Sequence, residues 1–373
     1  MFMKILYITT KYDPRDLNEG SGSDYQFYQA FLRMGADVKI AGPFIDNPSF
    51  LERVYRKFHH LFSHARYAKF SMRFLHESSK AVQSAINEFT PDLIFSKNIA
   101  PLVYCNSSIP IIYRMDTTLW GMHQQWHLFS EFEYKRMLQW ERKVLNKTNL
   151  AITNSTWSAD ILIKEYHFPA EKILVFPNPA SLPDPKYEQT VQIPTRISNP
   201  AHLLLVGKEK DRKGVDIAIK IVQLLNNSGY PAELRIVGQQ GQDQENIHFM
   251  DYFKKTDPDQ LEAYLDQYRW ADLLIHPARF EAAGIVPSEA AIFGVPTITN
   301  SAGGLATTVE HTKSGIVLPQ DSPPEIYAET IKELINHPST YFRLCQTTRE
   351  RYLKELNWES AGKTLQDALE NLV

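Results

Sequence analysis

Short apolar runs alternate with longer amphipathic stretches along almost the whole chain. The runs have the length and the Val, Ile and Leu content of buried strands, whereas the stretches repeat apolar residues at helical spacing. The predicted strands are 4–10, 36–42, 92–97, 110–115 and 150–155 in the first half, and 202–207, 232–238, 247–253, 272–277 and 296–300 in the second. This alternation in both halves predicts an α/β protein with two doubly wound parallel sheets.

Residues 177–200 separate the two halves. They show no periodicity and carry six prolines, Pro177, Pro179, Pro183, Pro185, Pro194 and Pro200. Such a stretch is typical of a linker, and 373 residues suit two domains of roughly 100–200 residues each. We therefore predict an N-terminal domain over 1–185, a C-terminal domain over 200–355 and a last segment, 356–373, that contains an amphipathic helix.

The composition is that of a soluble globular protein, with 43% hydrophobic residues and a formal net charge of −3. This balance argues against nucleic-acid binding, which normally needs a strongly basic face. The two cysteines, Cys105 and Cys345, suggest neither a disulfide framework nor a metal site, so we expect a reducing cytoplasm. The N-terminus predicts a strand rather than a signal peptide, and no apolar run of 18 residues is present.

Residues 53–80 form a basic segment with interleaved aromatic residues. It contains one acid, Glu77, and seven cations, Arg53, Arg56, Lys57, Arg66, Lys69, Arg73 and Lys80. The pairs Phe58/Phe62 and Phe70/Phe74 have the spacing of one helix face. Such a segment can lie on an anionic membrane surface or bind a charged acceptor. The alternative is a pair of helices that pack their rings on the N-terminal sheet and leave a solvated basic face.

A glycine loop, Gly20-Ser21-Gly22, follows the first predicted strand. It does not fit the dinucleotide fingerprint, because the third glycine would fall at Tyr25 and no acidic residue ends the second strand. The glycines, Gly22 among them, are expected to let the backbone come close to a ligand or to the other domain.

The block from Arg279 to Thr299 holds two carboxylates, Glu281 and Glu289, separated by seven residues. Glu281 follows a predicted strand, and Pro287 predicts a helix that would place Glu289 in its first turn. A helix N-terminus offers N–H groups to a phosphate, and nearby carboxylates can accept hydrogen bonds from sugar hydroxyls. The simpler alternatives are a solvated loop charge and a carboxylate that only complements its own helix dipole.

Two further turns follow strand ends in the second half. The turn after 202–207 carries Lys208, Arg212 and Lys213, which suit the charge of a diphosphate, although a solvated run of charges is the plainer interpretation. Gly303-Gly304 follows the strand 296–300 and could offer backbone N–H groups to a phosphate or a sugar, or form a plain turn.

Acidic residues outside this region have two interpretations each. Asp116 follows the strand 110–115, together with Arg114, and either contacts a sugar or acceptor hydroxyl or caps the turn that it begins. Asp257-Pro-Asp259 looks like a metal-binding pair, but helix capping explains it better, and no metal site is predicted.

Taken together, four motifs of the chain resemble those of retaining glycosyltransferase family 4. They are the Glu281/Glu289 block, the Arg212-Lys213-Gly214 turn, Gly303-Gly304 and Leu356-Asn-Trp358. The resemblance implies a GT-B fold, in which two Rossmann-like domains face each other across a cleft and the last helix, 356–373, crosses back to the N-terminal domain. It further implies transfer of a sugar from a UDP-, GDP- or ADP-linked donor in the C-terminal domain to a glycan or lipid-linked acceptor in the N-terminal domain, without a metal or another cofactor.

The same resemblance implies roles for individual residues. Glu281 would hold the donor sugar and Glu289 the ribose, and Glu281, Asp116 and Lys213 form the predicted catalytic set. The predicted nucleotide-binding set is Lys208, Arg212, Lys213, Gly207, Gly238, Gly284, Ile285, Val286, Glu289 and Gly22. The chain departs from the family pattern at Lys208, where Arg is common and Arg212 could substitute, at Met115, where many relatives have His, and at Thr307, where Glu is usual.

Three other functions fit the same frame. A GT-B sugar phosphorylase or a nucleotide-sugar epimerase would use a similar site, and an inactive sugar- or nucleotide-binding partner of another transferase would share the fold. For the transferase we expect a cytoplasmic location, with peripheral contact on the inner membrane face through residues 53–80.

Overall fold

A computed structural model describes residues 3–63, 70–127, 129–182 and 191–372. It divides into two compact units, Met1–Phe176 with Gly362–Val373, and Pro177–Ala361. In the described part of the chain each unit contains a six-stranded sheet in which all neighbouring strands are parallel. The predicted fold class, two doubly wound parallel sheets, is confirmed.

The first unit is built from β1 to β6 and the helices between them. The strands are β1 Lys4–Ile8, β2 Asp37–Ala41, β3 Leu93–Ser96, β4 Ile111–Met115, β5 Leu150–Thr153 and β6 Ile173–Val175. The helices are α1 Ser23–Arg33, α2 Phe50–Ser63, α3 Met72–Phe89, α4 Leu119–Trp126, α5 Glu131–Leu145 and α6 Thr156–Tyr166. The strand order is β2-β1-β3-β4-β5-β6, so the winding direction reverses between β1 and β3.

The second unit repeats this plan with β7 to β12. The strands are β7 Ala201–Val206, β8 Ala232–Val237, β9 Ile247–Met250, β10 Leu273–His276, β11 Thr297–Asn300 and β12 Gly315–Leu318. The helices are α7 Lys210–Lys213, α8 Val215–Asn227, α9 Pro258–Trp270, α10 Val286–Ile292, α11 Leu305–Thr308, α12 Pro324–Asn336 and α13 Pro338–Arg351. The last helix, α14 Trp358–Glu370, begins in this unit, and from Gly362 onward its residues belong to the first unit. The order β12-β11-β10-β7-β8-β9 places the reversal between β7 and β10.

The central strands explain the apolar runs in the sequence. Every residue of β3, β4, β5, β10 and β11 is buried, because helices cover both faces of a doubly wound sheet. Strands buried on both faces need apolar residues at successive positions rather than alternate ones. The runs are therefore continuous, and their positions could be predicted to within a few residues.

The basic segment 53–80 falls on α2 and α3, which differ in their packing. Phe70 and Phe74 are buried in the core of the first unit and stack with ring centroids 5.7 Å apart. On α2, in contrast, Phe58 is 55% exposed. The prediction that both helices pack their rings inward is thus right for Phe70 and Phe74 and wrong for Phe58. Arg66, Lys69, Pro183 and Pro185 lie outside the described residues.

Two helices of the second sheet's unit begin at a capping side chain, and the first of these caps was predicted. The Asp257 carboxylate accepts hydrogen bonds from the backbone N–H groups of Asp259 and Gln260 and so caps α9, as the sequence predicted. Asn357 caps α14 in the same way, through N–H groups of Glu359 and Ser360. No helix in the described ranges combines the length and the apolar character that crossing a bilayer requires.

The side chain of Glu141, on α5, is a buried carboxyl group that accepts hydrogen bonds at the start of α4. It accepts the backbone N–H of Leu119 at 3.0 and 3.1 Å and the hydroxyl of Tyr166. Burial raises the pKa of Glu141 from 4.5 to about 7, although these hydrogen bonds work in the opposite direction. The folded unit therefore holds a proton that the unfolded chain releases near pH 4.5.

This pKa shift predicts how stability depends on pH. The contribution of Glu141 to the free energy of unfolding is complete below about pH 4.5 and is lost as pH rises through about 7. Between these values the carboxyl group ionises in the unfolded chain but stays protonated in the folded one, which favours unfolding. Urea unfolding of wild type and Glu141→Gln should thus diverge, with wild type losing up to about 3 kcal/mol relative to the variant across this range. Parallel pH curves for the two proteins would contradict the assignment.

Candidate active site

The candidate site lies where the winding of the second sheet reverses. In doubly wound sheets ligands bind outside the carboxyl ends of the strands at this point, because the two flanking loops diverge there. β7 is followed by Gly207 and α7, and β10 is followed by the loop that carries Glu281. Two stretches 68 residues apart in the chain thus reach one place.

Glu281 is held between two cations from the β7 side. Its Oε2 atom lies 2.5 Å from Nζ of Lys213 and 2.8 Å from Nη1 of Arg212. Only 13% of the Glu281 side chain is exposed, so it is not the solvated loop charge of the simpler interpretation. Among the described residues no donor approaches its Oε1 atom, which leaves that oxygen available to a ligand hydroxyl.

The charges fix the protonation states of the site. Burial opposes ionisation of Glu281, but Lys213, His276 and Arg212 outweigh it, and the pKa of the carboxyl stays well below its usual range. His276 ends β10 with Nε2 3.6 Å from Oε2 of Glu281, beyond hydrogen-bond distance. Burial and the nearby Lys213 lower the pKa of His276 to about 4. At neutral pH the site therefore combines a carboxylate, two cations and a neutral imidazole.

The path of the Lys213 side chain leaves room only for a glycine at position 207. A Cβ atom at Gly207 would stand 2.7 Å from Cγ of Lys213 and 2.8 Å from its Cε. The lysine side chain therefore lies directly across the glycine and is almost completely buried. A side chain at this position would clash with the present path of Lys213.

The loop that carries Glu281 is tied down on both sides. The guanidinium of Arg279 binds Asp216 through two hydrogen bonds of 2.9 and 2.6 Å, and the N–H of Arg279 donates to the Arg212 carbonyl. On the other side the N–H of Gly304 donates to the Glu281 carbonyl at 3.0 Å. That carbonyl would lie 2.3 Å from a Cβ at Gly303, whose φ is +57°. The N–H of Gly304 is thus engaged by Glu281 rather than offered to a ligand.

Glu289 lies in the first turn of α10, which begins at Val286, one residue earlier than predicted. Its Oε2 accepts the hydroxyls of Tyr264 at 2.6 Å and Tyr268 at 3.0 Å, and its Oε1 lies 2.5 Å from Nζ of Lys255. A carboxylate has about four lone-pair positions, so these contacts leave one on Oε1. Glu289 is therefore a bound, oriented carboxylate and not merely a complement to its helix dipole.

The remaining predicted donor-site residues surround these two acids. Lys208 is exposed, and its Nζ lies 3.5 Å from the centre of the Tyr252 ring. Gly238 ends β8 and donates its N–H to the Met250 carbonyl. Gly284, Ile285 and Val286 lead from Glu281 into α10, with Gly284 close to the Glu281 side chain. The sequence suggested that Arg212 could take the place of the arginine that is common at position 208. In the structure both of its Nη groups already contact carboxylates, those of Glu281 and Glu209.

In the first unit Asp116 follows β4 and is half-exposed. Its Oδ1 atom lies 3.0 Å from Nη2 of the buried Arg114 and accepts a hydrogen bond from the Asn154 side chain. The next helix, α4, is capped by the Thr118 hydroxyl. The structure thus orients Asp116 at the carboxyl end of the sheet.

The glycine loop of the first unit lies next to the reversal of the first sheet. Gly22 immediately precedes α1. Asp24, two residues later, accepts the Tyr7 hydroxyl at 3.0 Å and lies 3.2 Å from Nζ of Lys97, which follows β3. This ion pair joins the first turn of α1 to the residue that follows β3, one on each side of the reversal.

Two family profiles match the chain. One, described as Glycosyltransferase Family 4, matches residues 25–182, and the other, described as Glycosyl transferases group 1, matches residues 188–351. Together they cover most of both units. The chain belongs to the family 4 type of GT-B glycosyltransferases.

Proteins of known identity are similar to the chain in sequence or in fold. The lipopolysaccharide glucosyltransferase WaaG of Escherichia coli is 30% identical over 227 residues, which are 54% of this chain and 58% of WaaG. A sucrose-phosphate synthase from Thermosynechococcus elongatus superposes with a TM-score of 0.70 over 99% of both chains at 17% identity. Anabaena HepE in complex with UDP-glucose does so with a TM-score of 0.62, covering 99% of this chain and 100% of HepE at 16% identity. The sequence matches span about half the length of the curated relatives.

Sequence reasoning missed several residues of the candidate site. His276 stood inside an apolar run, and its polarity at a strand end was the one signal that could have drawn attention to it. Tyr264 and Tyr268 have ordinary i, i+4 spacing on α9, and Lys255 lies in a connecting loop. Their contacts with Glu289 depend on how α9 packs beside α10, which no local pattern encodes.

Proposed function

We propose that the protein is a retaining glycosyltransferase that moves a sugar from a nucleoside diphosphate donor to a hydroxyl group of a glycan or lipid-linked acceptor. One observation carries the proposal. Where the winding of the second sheet reverses, Lys213 and Arg212 fix the buried carboxylate of Glu281 and leave its Oε1 atom available. A second oriented carboxylate, Glu289, follows in the next helix.

The proposed reaction uses these groups in distinct ways. The bond between the anomeric carbon and the diphosphate oxygen breaks, the acceptor oxygen bonds to that carbon on the same face, and the hydroxyl proton passes to the departing phosphate. Negative charge grows on the diphosphate as the bond breaks, and Lys213, Arg212 and Lys208 stabilise it without a metal ion. Glu281 accepts a hydroxyl of the donor sugar through Oε1, and Glu289 accepts a ribose hydroxyl.

The nature of both substrates is also proposed. UDP-glucose is the first donor to test, because a protein of the same fold, Anabaena HepE, is found in complex with it. The similarity to WaaG, which is named for lipopolysaccharide, supports a lipid-linked glycan as acceptor. In this proposal the second unit binds the donor, while the first unit binds the acceptor and Asp116 orients its hydroxyl.

A location follows from such an acceptor. We propose that the protein works in the cytoplasm, with peripheral contact on the inner membrane face through residues 53–80. The excess of cations over acids in this segment supports attraction to anionic lipid.

The test begins with thermal unfolding in the presence of UDP-, GDP- and ADP-linked sugars. We expect one donor class to raise the melting temperature and to release its nucleoside diphosphate slowly in the absence of an acceptor. Turnover that requires orthophosphate would instead identify a phosphorylase, and an acceptor-independent change of the sugar would identify an epimerase. Donor binding without any release would indicate an inactive binding partner.

A further inference from the structure

Helix α2 contacts the rest of the first unit through its polar side. Nη2 of Arg56 lies 2.8 Å from Oδ2 of Asp46, and the same carboxylate accepts the hydroxyl of Ser71, the residue that caps α3. One turn further on, Nε2 of His59 lies 3.2 Å from the hydroxyl of Ser130, the cap of α5. Two polar contacts of α2, one from Arg56 and one from His59, therefore fix its rotation about its axis.

The apolar side of α2 faces solvent as a consequence. Five large side chains on this side are exposed by more than half: Phe50 at 72%, Leu51 at 78%, Tyr55 at 58%, Phe58 at 55% and Leu61 at 66%. Their spacing follows helical periodicity, so they form one continuous stripe along the helix. A surface helix of a globular protein normally shows the reverse arrangement, and an exposed apolar stripe of this kind marks an interaction surface.

Two cations border the stripe. Arg53 and Lys57 are exposed, and within the described ranges neither has an acidic partner. They lie four residues apart, and Lys57 is four residues before Leu61, so both lie along one edge of the apolar side. The chain as a whole carries a net charge of −3, so this positive edge is a local feature of α2.

We propose that α2 binds in the plane of an anionic bilayer surface, with its apolar stripe in the boundary between headgroups and acyl chains. Arg53 and Lys57 would then contact the anionic headgroups. Such a helix needs an apolar side, a cationic border and no capacity to span, and α2 has all three, since its 14 residues extend only about 21 Å. The charge complementarity selects anionic lipid over a neutral protein surface.

This inference deepens the proposed function, because it rests on an acceptor that is presented at a lipid surface. It assigns the contact to one side of one helix rather than to the whole basic segment. Phe70 and Phe74 have no part in it, since the core of the first unit buries them. Bound in this way, α2 would hold the first unit, and with it Asp116, at the surface where a lipid-linked acceptor lies.

The test is co-sedimentation of the full chain with phosphatidylcholine vesicles, with and without phosphatidylglycerol. Wild type should bind only the anionic vesicles, and more weakly as salt rises. Phe58→Ser with Leu61→Ser, and separately Arg53→Gln with Lys57→Gln, should each weaken binding by about tenfold or more. Ile326→Ser changes an exposed apolar residue on α12 and should bind as wild type does. Lys172→Gln with Lys220→Gln removes the same charge elsewhere and should also bind as wild type does.

Two results would overturn the proposal. One is vesicle binding by the α2 variants equal to that of wild type, and the other is a wild-type protein that does not sediment with anionic vesicles at low salt. A shift from dimer to monomer in the α2 variants, seen by ultracentrifugation without loss of vesicle binding, would assign the stripe to a second copy instead.

A separate measurement keeps this proposal apart from the enzymatic one. Release of nucleoside diphosphate from the donor without vesicles should be equal in wild type and in the α2 variants, because α2 belongs to the first unit and the proposed donor site to the second. Vesicle binding without any donor turnover would refute the transferase proposal alone. Turnover without vesicle binding would refute the membrane proposal alone.

Discussion

Glu281→Gln is expected to fold and to lose about 10²–10³-fold in kcat, which is the usual effect of removing one electrostatic contact at a reacting centre. The glutamine retains the shape and one acceptor oxygen, so the loop between β10 and α10 should keep its position. It loses the negative charge that Lys213 and Arg212 pair with, and with it the orientation of both cations. Nucleoside diphosphate release at saturating donor measures the effect.

A matched variant separates this role from general charge loss. Glu310→Gln also removes an ion-paired carboxylate from the second unit, but its side chain is 42% exposed and its partners are Lys313 and, at 3.9 Å, Arg351. It should retain wild-type turnover. Near-normal kcat in Glu281→Gln, with an unchanged melting temperature, would refute the assigned role.

Lys213→Met is expected to have an effect of similar size, with an additional change in the pH profile. The methionine fills the space across Gly207 but removes the cation closest to Glu281, so charge on the leaving diphosphate is less well stabilised. Lys213 is the strongest influence that lowers the pKa of Glu281, so the acid limb of kcat against pH should move upward in the variant. Steady-state kinetics across the acidic range test both expectations.

Two comparisons make this second prediction specific. Lys210→Met removes an exposed cation from the same short helix, α7, and should leave kcat almost unchanged. The double variant with Glu281→Gln should lose less than the product of the single losses, since contacting residues are coupled. Equal losses in Lys210→Met and Lys213→Met would show that only the total charge of the turn matters.

The fold and the positions of the site residues were within reach of the sequence for a physical reason. Strands covered on both faces must be apolar throughout, and the connecting helices must be amphipathic, so each element leaves a local pattern. Cations after β7 and a carboxylate after β10 could be recognised as candidates because each follows a strand end. Their meeting at one edge required the strand order, which places β7 beside β10.

The spacing of apolar residues was less informative about whether the apolar side of a helix is buried or exposed. α2 and α3 both carry rings at helical spacing, yet Phe74 is buried and Phe58 is exposed. The rotation of α2 is fixed by the contact of Arg56 with Asp46 and by that of His59 with Ser130, which is 71 residues away in the chain. Periodicity shows which residues share a side of a helix, but not which way that side faces.

The sequence by itself determined the class of this protein, since the order of strands and helices, the two acids and the cationic turn are all properties of neighbouring residues. Only the tertiary structure decided that Glu281 is a buried anion paired with Lys213, that Lys255, Tyr264 and Tyr268 orient Glu289, and that the stripe of α2 faces outward. The pairings that orient the two acids depend on loops brought together by non-adjacent strands and helices. Charge states depend in turn on the burial that this assembly creates.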